Sequence, residues 1–133
     1  MTILVADDNA FSRELIRELL EPSGHVIVEA QNGLEALELI RSTGPDLVFL
    51  DLQMPLQDGF GVIRELRKDD RFVSLPVVAV TASAMVGDRE RAMAAGFDFY
   101  IPKPIDLCAI EEQVGALAAR TPPNRDLRSH TID

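Results

Sequence analysis

Basic residues are scarce in this chain. Lysine and arginine number 13 against 22 aspartates and glutamates, giving a formal net charge of −9. That balance argues against non-specific affinity for nucleic-acid phosphates or anionic membranes. Cysteine occurs once, as Cys108, so no internal disulfide is available and a reducing cytoplasm fits. No apolar run approaches the ~20 residues of a bilayer-spanning helix. The N-terminus lacks the basic lead of a secretory signal, and its short apolar run ends in Asp7 and Asp8. Neither an internal repeat nor a second domain is visible. What is present is ordinary globular material: 133 residues, 47% hydrophobic and 26% charged, enough for one domain with a real core.

The chain alternates strand and helix patterns. Leu47 to Leu50 form a continuous apolar run ending at Asp51, as in a central parallel strand covered on both faces. Ile3 to Ala6, Val26 to Val28, Pro76 to Val80 and Phe97 to Ile101 read as four further strands. Between them lie helical patterns. Phe11, Leu15 and Leu19, with Ile16 and Leu20 beside them, define one, capped by Asn9. Leu34, Leu37 and Ile40 define a second, opened by Asn32-Gly33, and Ile63 and Leu66 a third. The third ends in Arg67 to Arg71, read as a solvated helix end. Residues 84–95 form a weak fourth helix containing Gly87, which costs roughly 1 kcal/mol relative to alanine. Leu107, Ile110, Val114 and Leu117 mark an amphipathic fifth. Residues 121–133 are a polar tail with little to bury, expected to be disordered. The sum is an α/β fold: five parallel strands with helices on both faces.

Right-handed crossovers send every strand's carboxyl end to one edge, where open α/β sheets bind their ligands. Asp7 and Asp8 follow the first strand, Asp51 the third, Thr81 the fourth and Lys103 the fifth. The second strand offers Glu29, the weakest member. Three close carboxylates raise one another's pKa unless a cation sits among them. Oxygen-only ligands favour a hard ion such as Mg²⁺ (or Mn²⁺) that leaves room for phosphate. Asp51 then suits aspartyl-phosphate chemistry as the nucleophile. Lys103 and Thr81 supply counter-charge and a donor for the transferred oxygens.

With Asp7-Asp8, Asp51 in Asp-Leu-Gln-Met-Pro-Leu-Gln-Asp-Gly, Thr81-Ala82 and Lys103-Pro104, residues 1–120 resemble a response-regulator receiver domain of the CheY-like family. The resemblance implies a flavodoxin-like, doubly wound sheet of order 2-1-3-4-5. It implies that Asp51 accepts a phosphoryl group from a histidine kinase or histidine phosphotransfer protein. Asp8, Asp51 and the Gln53 backbone carbonyl would ligate Mg²⁺, with Asp7 acting through water. Lys103 would contact a phosphoryl oxygen, and Lys103-Pro104 would be a cis peptide. Thr81 would move toward the phosphoryl group while Tyr100 turns inward. Ala82 would leave Asp51 accessible, and Gln53 and Ser83 would tune dephosphorylation. Such a protein is a cytoplasmic signalling phosphoacceptor that catalyses only its own phosphorylation and dephosphorylation. Its output would pass to a downstream protein through the fourth helix, fifth strand and fifth helix, without nucleic acid or membrane insertion.

Taken singly, these residues have plainer readings. Asp7-Asp8 and Thr81 are ordinary helix caps, Asp51 a turn residue, Lys103 a surface lysine, and Tyr100 a packed aromatic. Cys108, His25 and His130 are assigned no role. The rival function is a Mg²⁺-dependent phosphatase of the haloacid-dehalogenase type. It requires Asp-x-Asp after the first strand, whereas Asp51-Leu52-Gln53 follows the third and lacks the second acid. A third reading is a phosphate-independent docking protein. About 13 residues follow the last helix, which suits a stand-alone module or a receiver cut from a longer regulator or hybrid kinase.

Overall fold

A computed structural model describes residues 1–82 and 87–117. The elements run β1 (Thr2–Ala6), α1 (Ala10–Leu20), a 3₁₀ turn (Glu21–Ser23), β2 (Val26–Ala30), α2 (Gly33–Thr43) and β3 (Leu47–Asp51). Then follow α3 (Gly59–Lys68), β4 (Val77–Thr81), α4 (Asp88–Ala95) and β5 (Phe99–Pro102). Residues 107–117 are helical and are called α5. The five strands form one parallel sheet in the order β2-β1-β3-β4-β5. Every residue of β3 and β4 is buried, as their unbroken apolar runs require. No helix among the described residues is long and apolar enough to cross a membrane.

Strand alternation splits the core in two. Leu4, Val48, Leu50, Ala79 and Tyr100 point to the face covered by α2, α3 and α4. Ile3, Val5, Phe49, Val78 and Ile101 point to the other face, under α1 and α5. Tyr100 therefore faces away from its neighbours Phe99 and Ile101, as alternation predicts. The register Ala6↔Leu50, Asp51↔Val80 and Thr81↔Pro102 brings the strand ends level along one rim.

The helix starts follow from short polar side chains. Asn9 Oδ1 accepts from the Phe11 and Ser12 N–H groups at 2.8 and 3.3 Å. Asn32 Oδ1 accepts from Glu35 N at 2.8 Å, and Asp58 Oδ1 from Gly61 N at 2.9 Å. Each satisfies an N–H with no partner inside its helix.

Four expectations need correction. The buried stripe of α1 is Ser12, Ile16 and Leu20, while Phe11 is 65% exposed. Leu34 likewise points outward from α2, whose buried residues are Gly33, Ala36, Leu37 and Ile40. Gly87 does not sit inside α4 but precedes it as N-cap, with φ +90°, and the described helix starts at Asp88. Arg67 is no solvated helix end. Its guanidinium donates to the Gly96, Phe72 and Leu75 carbonyls at 2.7, 2.8 and 2.9 Å and to Asp98 at 3.0 Å. Strand limits differ by a residue or two: β2 extends to Ala30, β4 includes Thr81, and Phe97 lies before β5. Ser83, residues 84–86 at the expected start of the fourth helix, residues 118–120 and the tail at 121–133 lie outside the described residues.

Candidate functional site: an acidic pocket at the sheet rim

Asp51 ends the central strand, so its side chain emerges where β1 and β4 also stop. Three carboxylates, from Asp7, Asp8 and Asp51, offer oxygens that all lie within 4.8 Å of one another. Asp7 and Asp51 are buried and Asp8 is exposed. Lys103 enters from the loop after β5. Its ammonium donates to Asp7 Oδ2 at 2.8 Å and Asp51 Oδ2 at 3.1 Å. That loop is tied to the neighbouring strand by Lys103 N–H donating to the Thr81 carbonyl at 2.8 Å, and Lys103-Pro104 is cis. Thr81 is fully buried at the end of β4.

Both buried carboxylates are also held by main chain. Asp7 Oδ1 accepts from Asn9 N at 2.9 Å, and Asp51 Oδ1 accepts from Gln53 N at 3.0 Å. Burial pushes the Asp51 carboxyl above the usual aspartate range. The Asp7 charge adds to this, against the downward pull of the Gln53 N–H and Lys103. Burial pulls Lys103 the other way, but its two carboxylate partners outweigh it and the ammonium is stabilised.

The loop after Asp51 is pressed against neighbouring helix starts. A Cβ on Gly33 would stand 1.8 Å from the Gln57 carbonyl oxygen, and one on Gly59 would stand 2.7 Å from the Asp51 carbonyl oxygen. Only glycine admits such approach. The loop also contains a tight turn, Gln57 N–H donating to the Pro55 carbonyl at 2.8 Å across Leu56, whose φ is +71°. That is a γ-turn of the strained, positive-φ kind. Gln53, two residues past Asp51, lies at the start of this loop.

Of the residues singled out from sequence, Asp7, Asp8, Asp51 and Lys103 come together at the rim, with Thr81 at the end of the neighbouring strand. Glu29 does not join them: its carboxylate accepts from Arg13 Nε at 2.8 Å and Arg17 Nε at 2.6 Å. Burial works to raise the Glu29 carboxyl, yet the two guanidinium groups bring it below its usual value. Tyr100 is buried on the α4 side of the sheet, 8% exposed. Asp88 went unnoticed in the sequence. It is 5% exposed at the first position of α4, pairs with Arg91 at 3.2 Å, and adds to burial in raising the Tyr100 phenol. The only sequence signal was an acid directly after Gly87, where a helix dipole favours it.

The donor set is all oxygen and anionic, with one ammonium already neutralising part of it, which fits a small hard divalent cation.

Known proteins resemble this chain in sequence and in fold. The sequence pattern of the response regulator receiver domain matches residues 3–115. The polar-differentiation response regulator DivK of Brucella anthropi is 42% identical over 106 residues, covering 80% of this chain and 86% of that one. The receiver domain of the Francisella response regulator 1452 superimposes with a TM-score of 0.83 at 30% identity, over 90% of this chain and 98% of that one. The signal receiver domain of a signal transduction histidine kinase from Syntrophus aciditrophicus gives a TM-score of 0.83 at 28% identity, over 91% and 92%. The order of strands, the acids at their ends and these likenesses agree, and the chain belongs to the response regulator receiver domain family of two-component signalling.

Proposed function

We propose that Asp51 is a phosphoacceptor, charged by a phosphohistidine on a histidine kinase or phosphotransfer protein in the cytoplasm. A carboxylate oxygen of Asp51 bonds to phosphorus as the phosphorus–nitrogen bond of the donor breaks. The electron pair of that bond stays on the donor imidazole. The observation that carries this reading is the Lys103 ammonium bridging Asp51 and Asp7 at 3.1 and 2.8 Å. It is a fixed cation beside the nucleophile, where the transferred oxygens need counter-charge.

Asp8, Asp51 and the Gln53 carbonyl are the residues that would hold Mg²⁺, with Asp7 acting through water. When bound, the ion supplies charge neutralisation for the transferred oxygens. Gln53 and Ser83 are assigned the tuning of hydrolysis, Ala82 the open approach to Asp51. Thr81 and Tyr100 form the switch: Thr81 ends β4, and Tyr100 lies on β5 opposite Ala79 in register. The α4, β5 and α5 face is the surface through which a downstream protein reads the state. A short α4 preceded by a positive-φ glycine suits an element whose position phosphorylation biases.

Incubation of the full chain with Mg²⁺ and acetyl phosphate, followed by intact mass, tests the assignment. The expected result is one added phosphoryl group, roughly 80 Da, labile to base and absent in Asp51→Asn. An unmodified wild type, under conditions where another receiver reacts, overturns it.

A further inference from the structure

Arg13 reaches the acidic pocket from behind, through main chain. It lies in the first turns of α1, and because helical side chains lean toward the helix N-terminus, it returns to the end of β1. There its guanidinium donates to the Asp7 carbonyl oxygen at 2.7 Å. The same guanidinium donates through Nε to Glu29 at 2.8 Å, and the side chain is 11% exposed. Glu29 stands opposite Val5 in the β1–β2 register, on the face that α1 covers, and Arg17 occupies its other oxygen at 2.6 Å. Glu29 is thus fixed from two sides and turns the Arg13 fork toward β1.

Asp7 is consequently held at every polar atom. Its N–H donates to the Ala30 carbonyl at 3.0 Å, and Arg13 takes its carbonyl. Asn9 N–H and Lys103 take its two carboxylate oxygens. The peptide unit that Arg13 grips is the one joining Asp7 to Asp8, so its orientation governs the directions of both carboxylates. Arg13 contacts neither carboxylate.

We propose that Arg13 is a positioning residue for the acidic pocket, fixing the Asp7–Asp8 peptide so that the carboxylates converge on one divalent cation, with Glu29 orienting its guanidinium. This rests on the metal site of the proposed function. Two effects of Arg13 oppose each other, which makes the sign informative. Its positive charge repels an incoming cation, whereas its hydrogen bond organises the ligands. Partners that orient metal ligands typically affect affinity by 10- to 100-fold. Arg13→Met removes both effects. If charge were the whole contribution, this variant would bind Mg²⁺ more tightly; with positioning it binds more weakly.

The test is calorimetric titration of Mg²⁺ into the metal-free full chain, with far-UV circular dichroism on each sample. Arg13→Met is expected to raise the Mg²⁺ dissociation constant roughly tenfold while retaining the wild-type spectrum. Arg13→Lys keeps the charge and a single donor and is expected to fall between the two. Glu29→Gln, which weakens the orienting pair but leaves Arg13 in place, is expected to cost less than Arg13→Met. Equal or tighter binding by Arg13→Met overturns the inference, as does a loss of affinity that appears only where the spectrum is also lost. Absence of Mg²⁺ binding by the wild type would instead count against the metal site itself.

Discussion

Replacing Arg67 with methionine isolates a tertiary clamp from the chemistry. Methionine preserves most of the apolar stem, so the packing of α3 on the sheet is largely kept. What disappears is the guanidinium fork, with its bonds of 2.7–2.9 Å to the carbonyls of Gly96, Phe72 and Leu75. Those carbonyls belong to the α4–β5 turn and to the segment entering β4. Losing a charged donor to a sheltered carbonyl costs about 1–3 kcal/mol, and such losses within one network do not simply add. The ion pair with Asp98, a residue 55% exposed on its side chain, adds at most about 1 kcal/mol. A destabilisation of about 3–4 kcal/mol is expected, a large share of the 5–15 kcal/mol typical of a domain. Arg67→Lys, with one compact donor group in place of a fork, should lose about half as much. Urea unfolding followed by circular dichroism measures both. Mg²⁺ affinity should stay within about twofold of wild type, because the clamp sits at the amino ends of β4 and β5, across the sheet from Asp51. A cost below about 1 kcal/mol would show that water satisfies these carbonyls equally well, and the reasoning would fail.

Two other outcomes follow from the pocket. Asp51 has a folded-state pKa above the 3.8 of an ordinary aspartate. The fold therefore favours its protonated form, and that contribution is present below the ordinary value and lost as pH rises through the folded one. In EDTA at neutral pH, Asp51→Asn should raise the melting temperature by a few degrees, the gain shrinking as pH falls toward 4, and added Mg²⁺ should reverse the order of the two proteins. A lower melting temperature for the metal-free variant at neutral pH contradicts this. Gly33→Ala places a carbon 1.8 Å from a backbone oxygen and must displace the loop that follows Asp51. It should cost about 1–3 kcal/mol in urea unfolding and slow phosphorylation by acetyl phosphate; a variant within 0.5 kcal/mol of wild type is inconsistent with that packing.

The sheet was legible because β1, β3 and β4 are buried on both faces and their sequences are unbroken apolar runs. The pocket was legible because each of its charges stands at or within two residues of a strand's carboxyl end. Helix faces were harder. Phe11, Leu15 and Leu19 have the same spacing as Ser12, Ile16 and Leu20, one position apart, and phenylalanine looks the better core residue than serine. The sheet decides by where α1 crosses it, which no local pattern records. Arg67 and Glu29 were misread for a related reason. A charge run looks solvated, and an acid near a strand end looks like a member of the rim, until the fold supplies their partners, and those partners are carbonyls and guanidinium groups that no local pattern marks. Asp88 and Arg13 were invisible on the same grounds.

Lys103 makes the pocket a place of competition. The chain carries its own tethered monovalent counter-ion, attached by a stem too short to leave the neighbourhood. Any divalent ion arriving meets carboxylates already partly neutralised, so its affinity measures an exchange of neighbours and not a simple filling of charge. In the proposed phosphorylation, bond formation at Asp51 would release one of the two carboxylate partners of the Lys103 ammonium and leave it, still beside Asp7, able to turn to the new anion.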